Sequence, residues 1–183
     1  GAVYFDSDGA NSLINLPELT QFTGYFNSTS AGFRVASQGE IRIPKLQSIA
    51  VGNLAVGTEG IIDTAALESF SIGTIYIYRT GQDFSGLTSL VTAGIYTYAG
   101  VTASFPGLTS YQATLERTLQ ASGANSVLSF PNLTTLTGPQ VGGNELFVTT
   151  RSGGQIQMPA LTTVPSGAVY FDSDGANSLI NLP

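Results

Sequence analysis

The sequence predicts an all-β fold, namely a parallel β-solenoid (β-helix) with about seven coils of 20–28 residues per 166-residue unit. Three observations support this prediction. Apolar and polar residues alternate in short runs, a leucine-containing motif recurs along the whole chain, and no segment shows a sustained apolar period of about 3.6 residues. Short alternating runs between turn residues are typical of strands, and a recurring motif is typical of stacked coils.

The recurring motif consists of an apolar residue, usually a proline, a variable residue, an anchor leucine and then a polar residue. Its copies are LPELTQF, IPKLQSI, TAALESF, FSGLTSL, FPGLTSY, FPNLTTL and MPALTTV. The anchor leucines are Leu19, Leu46, Leu67, Leu87, Leu108, Leu133 and Leu161. Because TAALESF lacks the proline, we interpret the proline as a turn preference and not as a functional residue.

Each coil is predicted to contain three short strands. The first is an alternating run such as Phe33-Arg34-Val35, the second precedes the proline position, as in Ile41-Arg42-Ile43, and the anchor leucine opens the third. Stacked coils would pair each strand in parallel with its equivalents and would bury a continuous apolar column. A leucine-rich-repeat horseshoe is the alternative, which we disfavour because no helical side and no regular asparagine ladder are visible.

One segment, GAVYFDSDGANSLINLP, occurs twice, at residues 1–17 and 167–183, and is identical at every position. The offset between the two copies agrees with the motif spacing, so the long repeat would hold seven coils. Either the parent protein repeats this long unit nearly verbatim, or the duplication was introduced by design. We therefore expect residues 1–166 to be one complete unit and residues 167–183 to be the start of the next, in one continuous solenoid.

The composition excludes several classes of function. The chain has no Cys and no His, so disulfides, thiolate metal sites and histidine-based catalysis are not possible. Twelve acidic and six basic residues give a net charge of −6, which disfavours nucleic acid as a partner. Membrane insertion is not expected, because the apolar runs are far shorter than the roughly 20 residues that span a bilayer.

The alternating strand followed by the proline-leucine-threonine motif, over the whole chain, resembles the β-solenoid repeats of large secreted or surface proteins of bacteria. The resemblance implies a parallel solenoid and an extracellular or cell-surface location. It implies no catalytic residue.

One candidate site is the acidic turn of the duplicated segment. Its oxygen donors are Asp6, Asp8 and Asn11, which recur as Asp172, Asp174 and Asn177. Alternate oxygen donors around a glycine suit calcium, the only cofactor that the sequence suggests. The bidentate glutamate of an EF-hand is absent, however, and an ordinary tight turn prefers the same residues, so both interpretations stay open.

A second candidate site is aromatic. If the isoleucines of two successive first strands point inward, then Tyr76, Tyr78, Tyr96 and Tyr98 occupy equivalent outward positions. Such rings can stack on the sugar rings of glycans or contact a neighbouring filament. The alternative is a cross-strand ladder that only stiffens the sheet.

Two other surface features have structural explanations as well as functional ones. The positions after the anchor leucines form an outward row, Thr20, Gln47, Glu68, Thr88, Thr109, Thr134 and Thr162. A threonine row could order water as in ice-binding solenoids, although β-propensity explains it more simply. The sequons Asn27-Ser28-Thr29 and Asn132-Leu133-Thr134 matter only in a eukaryotic secretory pathway.

Carboxylates on neighbouring coils raise the hypothesis of a polysaccharide-cleaving enzyme. The residues concerned are Glu59, Asp63, Glu68 and Asp83. Glycoside hydrolysis needs two acids that flank the bond, but none of these acids lies in a recognisable motif. We expect Asp63 and Asp83 to cap turns, and we do not expect the protein to be an enzyme.

The function that the sequence favours is structural. The chain begins and ends in the same motif and shows no capping element, so we expect head-to-tail stacking of identical units, which produces filaments. The leading hypothesis is therefore a fibre or stalk whose partner is another copy of the same unit. The alternative is an adhesin or carbohydrate-binding solenoid that uses the tyrosine face.

Overall fold

Short strands at regular intervals wind the chain into successive coils. The computed structural model describes residues 2–25, 31–98 and 100–183. Within them the chain forms 19 β-strands and no helix, and every strand pairing is parallel. The predicted parallel β-solenoid is confirmed, and the horseshoe is not the fold. None of the described residues belongs to a helix with the length and apolar character needed to cross a membrane.

The first face of the solenoid is the most continuous. Its eight strands are hydrogen-bonded in chain order, and they are β1 (Tyr4–Asp8), β4 (Gly32–Ala36), β7 (Gly52–Val56), β9 (Ser69–Ile77), β10 (Ser89–Thr97), β13 (Arg117–Ser122), β16 (Leu146–Arg151) and β18 (Val169–Asp174). Seven coils therefore precede β18, which opens the second copy of the duplicated segment.

The second face consists of two separate sheets. One contains β2 (Leu13–Asn15), β5 (Glu40–Arg42) and β8 (Ile61–Ile62), and the other contains β11 (Thr102–Ser104), β14 (Val127–Ser129), β17 (Gln155–Gln157) and β19 (Leu179–Asn181). The interruption falls in coil 4, where side chains replace backbone partners. The Gln82 side-chain amide donates to the Ile62 carbonyl over 2.9 Å, and Arg79 donates to the Gly60 carbonyl.

The third face has the shortest strands. They are β3 (Gln21–Phe22), β6 (Ser48–Ile49), β12 (Ser110–Gln112) and β15 (Thr135–Thr137), with an isolated bridge between Thr135 and Thr163. In two coils the third strand continues without a break into the next first strand, which produces the nine-residue strands β9 and β10.

The recurring motif forms the turn between the second and third faces. In all seven copies the amide of the anchor leucine donates to the carbonyl three residues earlier, over 3.0–3.3 Å. Proline suits the second position of such a turn because its φ is already fixed near the required value. The prediction that the anchor leucine opens the third strand is wrong by two residues, because its amide closes the turn. Leu108, for example, precedes β12, which begins at Ser110.

The core is a single apolar column inside the coils. Six anchor leucines are buried, and Leu19 is half-buried. The first residues of three successive motif turns also stack on each other. Phe84 stacks on Phe105 and Phe105 stacks on Phe130, with centroid distances of 4.8 and 5.4 Å. Tyr111 is buried in this column, and its hydroxyl donates to the Ala93 carbonyl over 2.8 Å. The column therefore combines apolar burial with satisfied polar groups, which is how stacked coils gain their stability.

The corner that joins the third face to the next first strand is tight in coils 3 to 5. Ile72 and Thr92 have φ angles of 52° and 53°, in the left-handed region that β-branched residues rarely adopt. Each such residue costs about 1–3 kcal/mol, which the surrounding structure must offset. At the adjacent position, a Cβ on Gly73 would collide with the carbonyl oxygen of Gly52, so glycine is required there.

Only one of the two sequons lies within the described residues. Asn27-Ser28-Thr29 lies outside the described residues. In the other sequon, the Asn132 side chain donates to the Pro106 carbonyl of the preceding coil over 2.8 Å. Asn132 therefore has a structural role in joining two coils.

Candidate functional site

The outward-pointing side of the first face carries four of the candidate residues, Asp6, Tyr76, Tyr96 and Asp172, in one register. Successive coils place Asp6, Arg34, Ala55, Tyr76, Tyr96, Gln120, Thr149 and Asp172 side by side along this row. Parallel pairing without a register shift produces such rows, because equivalent residues of neighbouring strands lie next to each other. The row has three parts: an acidic and basic pair at one end, aromatic residues in the middle and an acidic residue at the other end.

The four tyrosines form two stacked pairs. Tyr76 and Tyr96 have ring centroids 5.4 Å apart, and Tyr78 and Tyr98 have centroids 4.4 Å apart with nearly parallel rings, at 4°. Tyr78 is the most accessible ring, with 38% of its surface exposed. Burial raises the pKa of Tyr98 above its ordinary value, and hydrogen bonding to Tyr78 adds to the rise. The four rings therefore form one aromatic patch on two neighbouring coils.

A cavity of about 280 Å³ lies on one side of the aromatic patch. Tyr78 borders it on coil 4 and Arg34 on coil 2, and Ala55 and Gly57 lie between them on coil 3. Because these two residues are small, coil 3 leaves space between the ring and the guanidinium group. Ser37 and Thr58 add hydroxyl groups to the border. This cavity therefore has one aromatic wall and a polar rim.

The acidic turn has the same conformation in both copies of the segment. Asn11 and Asn177 have φ angles of 65° and 63°, and Gly9 and Gly175 have φ angles of 97° and 96°. In each copy the serine amide that follows donates to the glycine carbonyl over 3.2 Å. Asparagine and glycine tolerate these left-handed conformations, so the residues fit a tight turn.

The carboxylates of this turn contact arginines. Asp6 accepts a hydrogen bond from Arg34 over 2.8 Å, and Asp8 accepts from the same guanidinium over 3.3 Å. A hydrogen bond from the Ser37 hydroxyl, together with Arg34, holds the pKa of Asp8 below its ordinary value. In the second copy, Asp172 accepts from Arg151 over 2.5 Å.

No group of three or more acidic residues that could hold a metal ion is present among residues 2–25, 31–98 and 100–183. Because Asp6, Asp8 and Asp172 already have cationic partners, the arrangement favours a turn over a calcium site.

The carboxylates considered for catalysis have other partners. Asp63 accepts a hydrogen bond from the Ala65 amide over 3.1 Å, and Asp83 accepts from the Ser85 amide over 2.8 Å. The side chain and amide of Ser85 hold the pKa of Asp83 below its ordinary value, whereas a general acid needs a raised pKa. Glu59 and Glu68 are exposed. The two aspartates act as caps of their turns in this geometry.

The residues that follow the anchor leucines all lie on the surface. Thr134 and Thr162 each donate a hydroxyl hydrogen bond to the carbonyl of the preceding residue in the row, Thr109 and Thr134, over 3.0 and 3.4 Å. These hydroxyls therefore join neighbouring coils along the row, which accords with a structural role.

Sequence reasoning did not identify Arg34 and Arg151 as partners of the aspartates. A signal was available, because Arg34 alternates with the inward Phe33 and Val35 and lies about one coil length after Asp6. The pairing of Arg151 with the second copy needed the same register argument. These ion pairs show that the duplicated segment has a basic neighbour in each of its two positions.

Comparison with known proteins gives no relative for this chain. No family model, no curated protein and no solved structure matches it.

Proposed function

We propose that this chain is the structural repeat unit of an extracellular or cell-surface fibre or stalk, in which β-solenoid units continue end to end. The observation that supports the proposal is the behaviour of the duplicated segment. The first copy packs against the following coil through residues 4–15, and the second copy packs against the preceding coil through residues 169–181. Both sides of the segment thus fit coils of this unit.

The apolar core supports the same proposal. Phe5 stacks on Phe33 of the next coil with a centroid distance of 5.2 Å. Phe171, which is the same position in the second copy, lies in register with Val148 and is 37% exposed. A further coil with a phenylalanine like Phe33 would cover that exposed ring. The core column could therefore continue from one unit to the next without a change of geometry.

The mechanism is mechanical. Parallel backbone ladders on three faces and a buried column resist bending and local opening, because each coil is held by both of its neighbours. The proposed location rests on the resemblance of the repeat motif to bacterial secreted and surface solenoids. The proposal assigns no catalytic activity to the chain.

The test is cryo-electron microscopy of chains that contain one, two and three units, where each added unit repeats residues 18–183. We expect a straight rod that lengthens by about 34 Å for each unit, from seven coils at the strand spacing of about 4.8 Å. The control is a two-unit chain in which the order of residues 167–183 is scrambled, which we expect to bend or separate at that point. Separate particles joined by flexible links in the unscrambled chain would contradict the proposal.

A second candidate function is glycan binding, and the cavity beside Tyr78 is the observation that favours it. A sugar ring could stack on Tyr78 and use the hydroxyls of Ser37 and Thr58 and the guanidinium of Arg34. We expect that Tyr78→Ala abolishes binding on a glycan array. Tyr25→Ala is the matched control, because Tyr25 is exposed and does not border the cavity. Equal binding by both variants would contradict this function.

A further inference from the structure

The duplicated segment makes it possible to derive how two units would meet. Each copy shows one side of the segment in contact with its neighbour. The first copy shows the side that faces the following coil, where Asp6 is in register with Arg34. The second copy shows the side that faces the preceding coil, where Asp174 is in register with Arg151. Because the two copies are identical in sequence, superposing them gives both contacts of one segment at once.

The superposition places acidic residues between basic ones. Asp172 already accepts a hydrogen bond from Arg151 over 2.5 Å. Its equivalent, Asp6, accepts from Arg34 over 2.8 Å. At a junction, the two aspartates of the segment would therefore lie between Arg151 of one unit and the Arg34 of the next. Two negative and two positive charges would balance in one ladder on the outer surface.

The contact of two copies of the segment with each other has the opposite character. If two separate chains met end on in the same parallel register, Asp172 would lie opposite Asp6, and Asp174 opposite Asp8. Neighbouring strands are about 4.8 Å apart, so four carboxylates would face one another. Like charges that lie directly opposite on paired strands are destabilising. Arg34 and Arg151 lie on the far side of their own copies, so they offset only part of the repulsion and do not separate the facing carboxylates.

We propose that the duplicated segment is a charge-matched joint that accepts the second coil of a following unit, with its Arg34, and disfavours a second copy of itself. Its partner is thus another copy of this same unit, which it meets through the coil that contains Arg34. Units join where they share one segment, and two copies of the segment do not adhere to each other. This inference rests on the proposed fibre function and adds the selectivity of the contact.

The experiment uses sedimentation velocity on the 183-residue chain at neutral pH and low salt. We expect the wild-type chain to be monomeric. Asp172→Asn/Asp174→Asn removes the repulsion, and Asp172→Arg places a cation in register with Asp6 of another molecule, as Arg34 is here. We expect both variants to associate end on into rods, and we expect salt to disrupt the rods of the Asp172→Arg variant.

The matched control is Glu59→Gln/Glu68→Gln, which changes the net charge by the same amount as the double asparagine variant. These two glutamates lie on the exposed surface of other coils, so we expect this control to remain monomeric. Association of the wild type to the same extent as the aspartate variants would overturn the proposal, and so would monomeric aspartate variants. Circular dichroism on each variant checks that the fold is retained.

A failure of the charge-matched joint can be distinguished from a failure of the fibre proposal. If the two-unit chain is a continuous rod but charge changes do not alter association, only the charge-matched joint is wrong. If the two-unit chain is not a continuous rod, the fibre proposal itself is wrong.

Discussion

At the scale of single residues, the corner turns show two ways to deal with one backbone amide. Where proline occupies the second turn position, as in Pro106 and Pro131, that position has no N–H group. Where Ala65 or Ser85 replaces the proline, the amide donates to an aspartate two residues earlier. Asp63 and Asp83 thus accompany the two turns that lack proline. The aspartate provides the acceptor that the proline makes unnecessary.

This relation predicts a specific coupling between Asp83 and Ser85. We expect Asp83→Ala to lower the free energy of unfolding by about 1 kcal/mol, because the Ser85 amide loses its acceptor. In a Ser85→Pro background the amide is absent, so the same substitution should cost close to nothing. Chemical denaturation of the four proteins of this double-mutant cycle measures the coupling. Equal costs in the two backgrounds would show that the cap is not the reason for the aspartate.

A second residue-scale prediction concerns two neighbouring threonines of β16. The Thr149 hydroxyl is buried and has no hydrogen-bond partner within the part of the chain that the structure describes. The Thr150 hydroxyl donates to the Ser173 hydroxyl over 2.9 Å. We expect Thr149→Val to raise the free energy of unfolding by roughly 1 kcal/mol. Valine has nearly the same shape as threonine but lacks the buried hydroxyl that has no partner.

Thr150→Val is the matched control for this prediction. It removes a satisfied hydroxyl of the same strand, so we expect it to lower the free energy of unfolding by about 1 kcal/mol. Thermal or denaturant unfolding distinguishes the two signs directly. A loss of stability in both variants would mean that Thr149 is satisfied in solution.

The scale of secondary-structure elements shows what periodicity can and cannot predict. Alternation along short runs is a strong signal, because one side of each strand must enter the core, and it identified first-face strands such as Phe33-Arg34-Val35 and the outward tyrosines. The corners gave no such signal. Ile72 and Thr92 adopt left-handed conformations that sequence alone would assign to glycine or asparagine. Packing of neighbouring coils imposes these conformations, so local preference does not predict them.

In the candidate sites, too, alternation predicts some features and not others. The positions of the four tyrosines came from alternation within two strands. The partners of Asp6 and Asp172 did not, because pairing with Arg34 and Arg151 depends on the register between coils of unequal length. A shift of one residue would have placed each arginine inside the core. Register between irregular coils is therefore the information that only the structure supplied.

The tyrosine pairs predict how stability changes at alkaline pH. Because burial raises the pKa of Tyr98, the folded chain keeps a proton that the unfolded chain releases above about pH 10. The contribution of Tyr98 to stability is therefore complete below that pH and declines as the pH rises further. We expect Tyr98→Phe to show a smaller decline between about pH 10 and 12 than the wild type. Denaturant unfolding at a series of pH values measures both slopes, and equal slopes would contradict the prediction.

At the scale of the whole molecule, each coil contacts its neighbours and little else. A residue in an inner coil is covered on both sides, whereas one at the edge of the described stack is covered on one side only. Phe105 lies between Phe84 and Phe130, but Phe171 lies in register with Val148 alone. The energetic role of a given residue in a solenoid thus depends on whether another coil follows it.

This dependence gives a prediction in which the same substitution has two different costs. In the 183-residue chain Phe171 is 37% exposed, so we expect Phe171→Ala to lower the free energy of unfolding by only about 1 kcal/mol. In a two-unit chain the ring would lie between Val148 and the Phe33 of the next unit. We expect the cost there to approach the roughly 3–5 kcal/mol of a fully buried phenylalanine.

Phe105→Ala, which removes an inner ring in either chain, is the control for the Phe171 comparison. Because Phe105 already has a neighbour on each side, its cost should be the same in both lengths of chain. Denaturant unfolding of the two lengths, with each substitution at the same residue number in both chains, gives the comparison. If the cost of Phe171→Ala does not rise in the longer chain, no following coil covers the second copy of the segment. The continuous apolar column on which the proposed fibre depends would then be absent.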